Sequence, residues 1–223
     1  MFVGHYAASF ALKAYEEKAS LGWLFVGVQF FDLLFFPLTL MGIERFKLIE
    51  NFTASTHFKL EFMPYSHSLV AAFFWAGLIF LLASLIARYR RAKHFKVAAV
   101  MAVAVLSHWF LDLVVHTPDL PLMSDDSVKF GWGLWHYAFI TYGLEAILLL
   151  GGLYFYMRSS RGTTLASRVG MPIFVVLLLL INVLNIFGPL SPSDDVTSTA
   201  ITATIAYLVL AAIAFVLDRK RIN

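Results

Sequence analysis

"LSHWFLDLVVH", residues 106–116, decides how this chain is read. Leu, Val, Trp and Phe dominate it, as in a helix that crosses a bilayer. It also carries His108, Asp112 and His116, each four residues after the last. On an α-helix that spacing sets all three on one slowly drifting stripe. An ionisable group inside a bilayer costs about 3 kcal/mol or more and is kept where it faces a polar cavity or a partner. The stretch therefore implies a membrane helix and a polar pocket at once.

Composition agrees with the first half of that reading. The chain has 223 residues, of which 60% are hydrophobic and 14% charged. A water-soluble domain of this size has too little interior to hide so much apolar surface, so the expected fold is an all-α polytopic membrane helix bundle. The absence of cysteine excludes disulfides and thiolate metal sites, which leaves His, Asp and Glu as metal ligands. A net charge of +3 gives no nucleic-acid footprint, and no nucleic-acid partner is expected.

Six runs are long enough to cross a hydrocarbon layer of about 30 Å: 20–42, 66–87, 96–116, 133–157, 169–189 and 198–217. Between them lie "ERFKLIENFTASTHFKLEFMPY", "RYRRAKHFK", "TPDLPLMSDDSVKF", "RSSRGTTLASR" and "SPSDDVTS", and "DRKRIN" ends the sequence. The second and fourth connections and the tail hold 11 Lys and Arg, the other three connections 4. Cytoplasmic loops collect positive charge, so the basic connections and the tail are expected to face the cytoplasm. "RYRRAK" is read as a topology determinant, not a lipid-recognition patch. With no internal repeat or long linker, 1–223 reads as one membrane domain, its polar positions within 1–157 and two further helices over 169–217.

The start lacks the basic head, apolar stretch and small-residue cleavage site of a signal peptide, and it is expected to belong to the mature protein. "MFVGHYAASFALKAYEEK" reads either as an amphipathic helix on the cytoplasmic surface or as a short helix that turns at "YEEKAS" and forms a hairpin with the 20–42 helix. The hairpin is favoured, because it sets Lys13 and Lys18 near the inner face and brings His5 level with Asp32.

The same reasoning levels other residues. His67 opens the second span, His108, Asp112 and His116 fill the outer half of the third, and His136 opens the fourth. With His5 and Asp32 they lie at one depth, just under the outer surface. Such groups compensate one another if they share a divalent metal, most simply Zn²⁺, which accepts imidazole nitrogen and carboxylate oxygen. Two ligands at i and i+4 point the same way, and HxxxD supplies them at His108 and Asp112. Simpler roles stand beside this one. His5, His116 and His136 suit interfacial or solvated positions, Asp32 a helix cap or an Arg45 partner, and His67 a helix start. Glu145, nine residues past His136 and on the opposite side of its helix, suits a structural partner of another helix. The 22 Phe are read as ordinary packing.

"GHY" (4–6), "QFFDLLF" (29–35), "PYSHSL" (64–69), "LSHWFLDLVVHTPDLPL" (106–122) and "GLW" (133–135), in that order, resemble the membrane-bound metal-dependent hydrolases. These are inner-membrane proteins, some described as LexA-binding. The resemblance covers residues 4–145 and implies a multi-pass inner-membrane hydrolase that needs a metal. Where the family often shows H-R-x-x-T-H-S, this chain has "EFMPYSHS". The order of His5, Asp32, His67, His108, Asp112, His116, His136 and Glu145 is also distantly similar to the ligand order of zinc-dependent phospholipase C. In that pattern a Glu follows the later His by four; here position 140 is Ile and Glu145 stands five further on.

The expectation is a hydrolase acting on a phosphoester or other amphiphilic, lipid-like substrate near the outer leaflet, with the bilayer as its setting. His5, Asp32, His67, His108 and Asp112 are its expected metal ligands, with His5 serving a second ion. His116, Asp119, His136 and Glu145 are the candidates for proton handling and orientation. A metal or proton transporter using the same cluster, and a non-catalytic scaffold, are the alternatives. A transporter needs polar residues continuing to the inner side, and the inner halves of these runs are almost purely apolar.

Overall fold

The computed structural model describes residues 1–89, 95–191 and 195–222. Parts of "RYRRAKHFK", including His94, and of "SPSDDVTS" lie outside the described residues, so the topology reading of the former is not addressed there.

Helices dominate, as the composition demands: α1 (His5–Tyr15), α2 (Leu21–Val28), α3 (Phe30–Leu40), α4 (Leu69–Tyr89), α5 (Phe95–Val115), α6 (Ala138–Ser159), α7 (Leu165–Phe187) and α8 (Val196–Asp218). Among the described residues, α4 to α8 are each long and apolar enough to cross a membrane. The expected first span is a bent pair: α2 and α3 break at Gln29 and meet at 54°, and together they qualify as a sixth crossing. The architecture is an all-α membrane helix bundle.

α1 forms the expected hairpin. It turns back over 16–20, where the Ser20 hydroxyl caps α2 by accepting from the Trp23 N–H. It then packs against α2, α5 and α6. Tyr6 and Phe10 have no exposed surface and sit with Phe25, Leu24, Leu149 and Phe174 in the main core. The approach of α1 to α6 depends on Gly152, where a Cβ would stand 2.6 Å from the Ala7 carbonyl oxygen and 2.8 Å from its Cα.

The first connection is not a plain loop. Its residues form an antiparallel hairpin, β1 (Arg45–Leu48) with β2 (Phe58–Phe62), with a register shift between Arg45 and Phe46. Phe46 is buried against Phe35, Phe36 and Phe58. Two short ladders complete the chain: β3 (Leu120–Pro121) with β4 (Lys129–Phe130), and β5 (Arg161–Gly162) with β6 (Arg221–Ile222). At the latter end of the bundle, Lys13 Nζ lies 3.4 Å from Asp218 Oδ2, and the Tyr156 hydroxyl donates to Asp218 Oδ1. The hairpin, the 116–137 connection and the start of α1 gather at the other end, and the polar cluster lies there.

Candidate metal centre

The site begins with a broken helix. A continuous α2–α3 would commit the Val28 carbonyl within the ladder; beyond the break it accepts instead from His108 Nδ1 at 2.6 Å. Nδ1 therefore carries the ring proton of neutral His108, and Nε2 presents a lone pair. That nitrogen is fully buried. It lies 2.9 Å from Asp112 Oδ2 without the alignment of a hydrogen bond, and 3.9 Å from Asp32 Oδ1.

His67 is set in the same way. Glu44, with no exposed surface, accepts from the Tyr65 and Ser66 N–H groups and from the Ser66 hydroxyl at 2.6 Å. With its proton given to Glu44, Ser66 Oγ accepts from His67 Nδ1 at 2.7 Å. His67 Nε2 is then bare, 3.4 Å from Asp32 Oδ1 and 4.0 Å from Asp112 Oδ2.

His116 repeats the arrangement at the end of α5. Its Nδ1 donates to Asp119 Oδ1 at 2.8 Å, Asp119 Oδ2 accepts from the Thr117 hydroxyl, and Nε2 lies 3.4 Å from Asp112 Oδ2. Gly131 and Gly133 allow the following loop to lie against the helix end. The N–H groups of Trp132 and Gly133 reach the Leu113 and His116 carbonyls at 2.8 and 2.7 Å, and Gly133 has a φ of +75°. Trp135 covers the His116 ring at 4.0 Å. Burial alone lowers the His116 pKa, but the Asp112 and Asp119 carboxylates outweigh it and raise the group to about 9.

Three imidazoles thus turn Nε2, bare when the ring is neutral, toward the oxygens of two carboxylates. Lone pairs facing lone pairs in a buried site repel unless a cation, metal ion or proton, lies between them. Two groups have ligand atoms mutually within 4.8 Å: His5, His108 and Asp112, and Asp32, His67 and His108. They share His108. His5 stacks on the His108 ring at 3.9 Å and brings Nε2 to 3.1 Å from Asp112 Oδ1, an oxygen that the Met1 nitrogen also approaches at 2.6 Å. The donor set, buried imidazole and carboxylate with the far ring nitrogens of His116, His67 and His108 tied to carboxylate, hydroxyl and carbonyl oxygens, is one that a divalent metal fits.

Most of the expected residues meet. His5, Asp32, His67, His108, Asp112 and His116 converge, and Asp119 stands behind His116. Hairpin symmetry levelled His5 with Asp32, but the contact His5 makes is with Asp112, while Asp32 faces His67. Asp32 is not paired with Arg45, whose guanidinium lies over the Phe62 ring. Glu145 is buried and borders the same cleft, but its Oε2 accepts from the Phe2 and Gly4 N–H groups and so holds the start of α1. His136 is exposed on the short turn Leu134–His136, outside both groups.

Sequence reasoning missed Glu44, Ser66 and Tyr207. Ser66, beside His67 in "PYSHSL", carried a signal; Glu44, in a connection read as loop, and Tyr207, in an apolar run, carried none. Tyr207 of α8 lines the same cleft as Asp32, which brings a helix outside the family resemblance to the site. The 22 Phe are not all remote packing, since Phe31 and Phe35 set ring edges 5.2 Å from His108 and 5.4 Å from His67. No protein-family model, curated protein or solved structure matches the chain.

Proposed function

We propose that this protein is a membrane-embedded, metal-dependent hydrolase of the kind its motifs resemble, acting on a phosphoester with zinc as its metal. The observation that carries the reading is the set of bare Nε2 atoms on His67, His108 and His116 around Asp32 and Asp112. Asp32, His67, His108 and Asp112 would hold one ion, and His5 beside Asp112 would serve a second. When bound, such an ion lowers the pKa of a coordinated water and polarises a phosphoryl oxygen.

The chain's own groups supply the rest. His116, held at Nδ1 by Asp119, presents Nε2 to the cleft and moves a proton there. Glu145 anchors the segment before α1 and so keeps His5 beside Asp112. Phe31, Phe35 and Trp135 limit water around the polar cluster. The main core of Tyr6, Phe10, Phe25 and Phe174 lies along α1 and α2 toward the opposite end of the bundle, an apolar stretch that supports hydrolysis over conduction. The excess of Lys and Arg at that opposite end supports an outward-facing site in an inner membrane.

The test is elemental analysis of detergent-purified protein, followed by turnover of phosphoesters in mixed micelles, for wild type, Asp112→Ala and His67→Ala. Bound zinc and slow phosphate or headgroup release in wild type, with zinc lowered and turnover lost in both variants, is the expected result. Equal metal content in all three overturns the reading.

A further inference from the structure

The polar cluster is only one end of a larger space. A cleft of about 430 Å³ runs from Asp32, Asp112 and His116 to Ile181 and Leu184 of α7 and Ala203 and Ala206 of α8. Its polar end, with a metal bound, would accept an anionic headgroup, and its far end is mostly hydrocarbon, with Asn185 the polar side chain there. Helix α8 packs broadly on α2 and α3, but α7 and α8 touch each other sparingly. Both are long and apolar enough to cross a membrane, so the seam between them would border lipid. Leu184 is 72% exposed, while the two alanines leave room that larger side chains would fill.

The water-facing side is covered. Ser55, Thr56 and Phe58 of the β1–β2 hairpin border the cleft from that side. The hairpin is fastened to the end of α7 by His57, whose Nδ1 accepts from the Asn51 N–H and whose Nε2 donates to the Gly188 carbonyl at 3.0 Å. Tyr207, which lines the cleft with Asp32, marks where polar lining gives way to apolar.

We propose that the seam between α7 and α8 is a lateral portal from the bilayer, and that the cleft holds one acyl chain of a glycerophospholipid whose phosphoester lies at the Asp/His cluster. This rests on the hydrolase reading and names its substrate class. The roofed water side and the apolar, membrane-level seam select a substrate that never leaves the bilayer. The narrow bed formed by Ala203 and Ala206 suits an unbranched chain.

The test uses the full-length protein in nanodiscs containing phosphatidylethanolamine with a diazirine at the end of one acyl chain. After irradiation, labels are mapped by mass spectrometry for wild type, Ala206→Trp and Ala203→Leu, with metal content and thermal midpoint measured on each. Labels concentrated around Leu184 and Ala206, falling about tenfold in at least one variant that keeps its metal content and midpoint, are expected. Labels spread evenly over lipid-facing positions such as Phe73 and Ile147, or unchanged by both substitutions, overturn the portal. Stronger labelling by a diazirine-bearing polyprenyl phosphate overturns the choice of an acyl chain. Focused labelling in a protein without metal or turnover removes the hydrolase reading and leaves the portal. Turnover of a soluble phosphoester with diffuse labelling removes the portal and leaves the metal centre.

Discussion

His108 Nδ1 stands 2.6 Å from the carbonyl oxygen of Val28, the last residue of α2 before the bend into α3. The bend thereby orients the imidazole common to both candidate ligand groups. Replacing His108 or His67 by Ala is expected to remove the main ion, whereas His5→Ala removes only the second. Metal-to-protein ratios from elemental analysis check this ordering. Equal losses in the three variants would show that the groups are not separate.

Glu44 touches no expected ligand directly, yet it accepts the Ser66 hydroxyl hydrogen bond and so fixes which nitrogen of His67 is bare. Partners of this kind tune metal affinity by about 10–100-fold. Glu44→Gln is expected to lower affinity within that range, read by competition with a chelator, and to leave the His67-dependent stoichiometry intact at saturating metal.

The helices were legible because twenty-residue apolar runs announce themselves, and His108, Asp112 and His116 were legible because one helix places them by arithmetic. The break at Gln29 was not. An apolar run looks the same whether straight or bent, and the group that uses the freed Val28 carbonyl, His108, lies 80 residues away. Hairpin symmetry found the depth of His5 and Asp32 but not their partners, because depth fixes height along the bundle and leaves rotation to packing. For Glu145 the helical-wheel argument separated it from His136 and pointed to another helix, and it holds the start of α1.

Without metal, protons must fill the site. His116 is buried, which alone would lower its pKa, but Asp112 and Asp119 raise it from 6.5 to about 9. A raised folded value means that protonated His116 stabilises the metal-free fold fully below about pH 6.5 and that this contribution fades as the pH rises through about 9. The displacement corresponds to about 3 kcal/mol as an order of magnitude. Chelator-treated protein is expected to lose thermal stability across that window, and His116→Gln to flatten the loss. A metal-free melting profile independent of pH between 6 and 9 would remove His116 as the group responsible.

The seat of α1 allows a paired comparison within one helix turn. At Gly152 a Cβ would meet the Ala7 backbone at 2.6 Å, while at Gly151 nothing lies within 4 Å. Overpacking at a rigid contact costs about 1–3 kcal/mol, and backbone cannot rotate aside as a side chain can. Gly152→Ala is therefore expected to destabilise the detergent-solubilised protein by that amount and, because α1 carries His5, to reduce the metal ratio as well. Gly151→Ala should leave both unchanged, or stabilise slightly through the better helix propensity of Ala. If the two substitutions behave alike, α1 is not seated against α6 in the way His5 requires to reach Asp112.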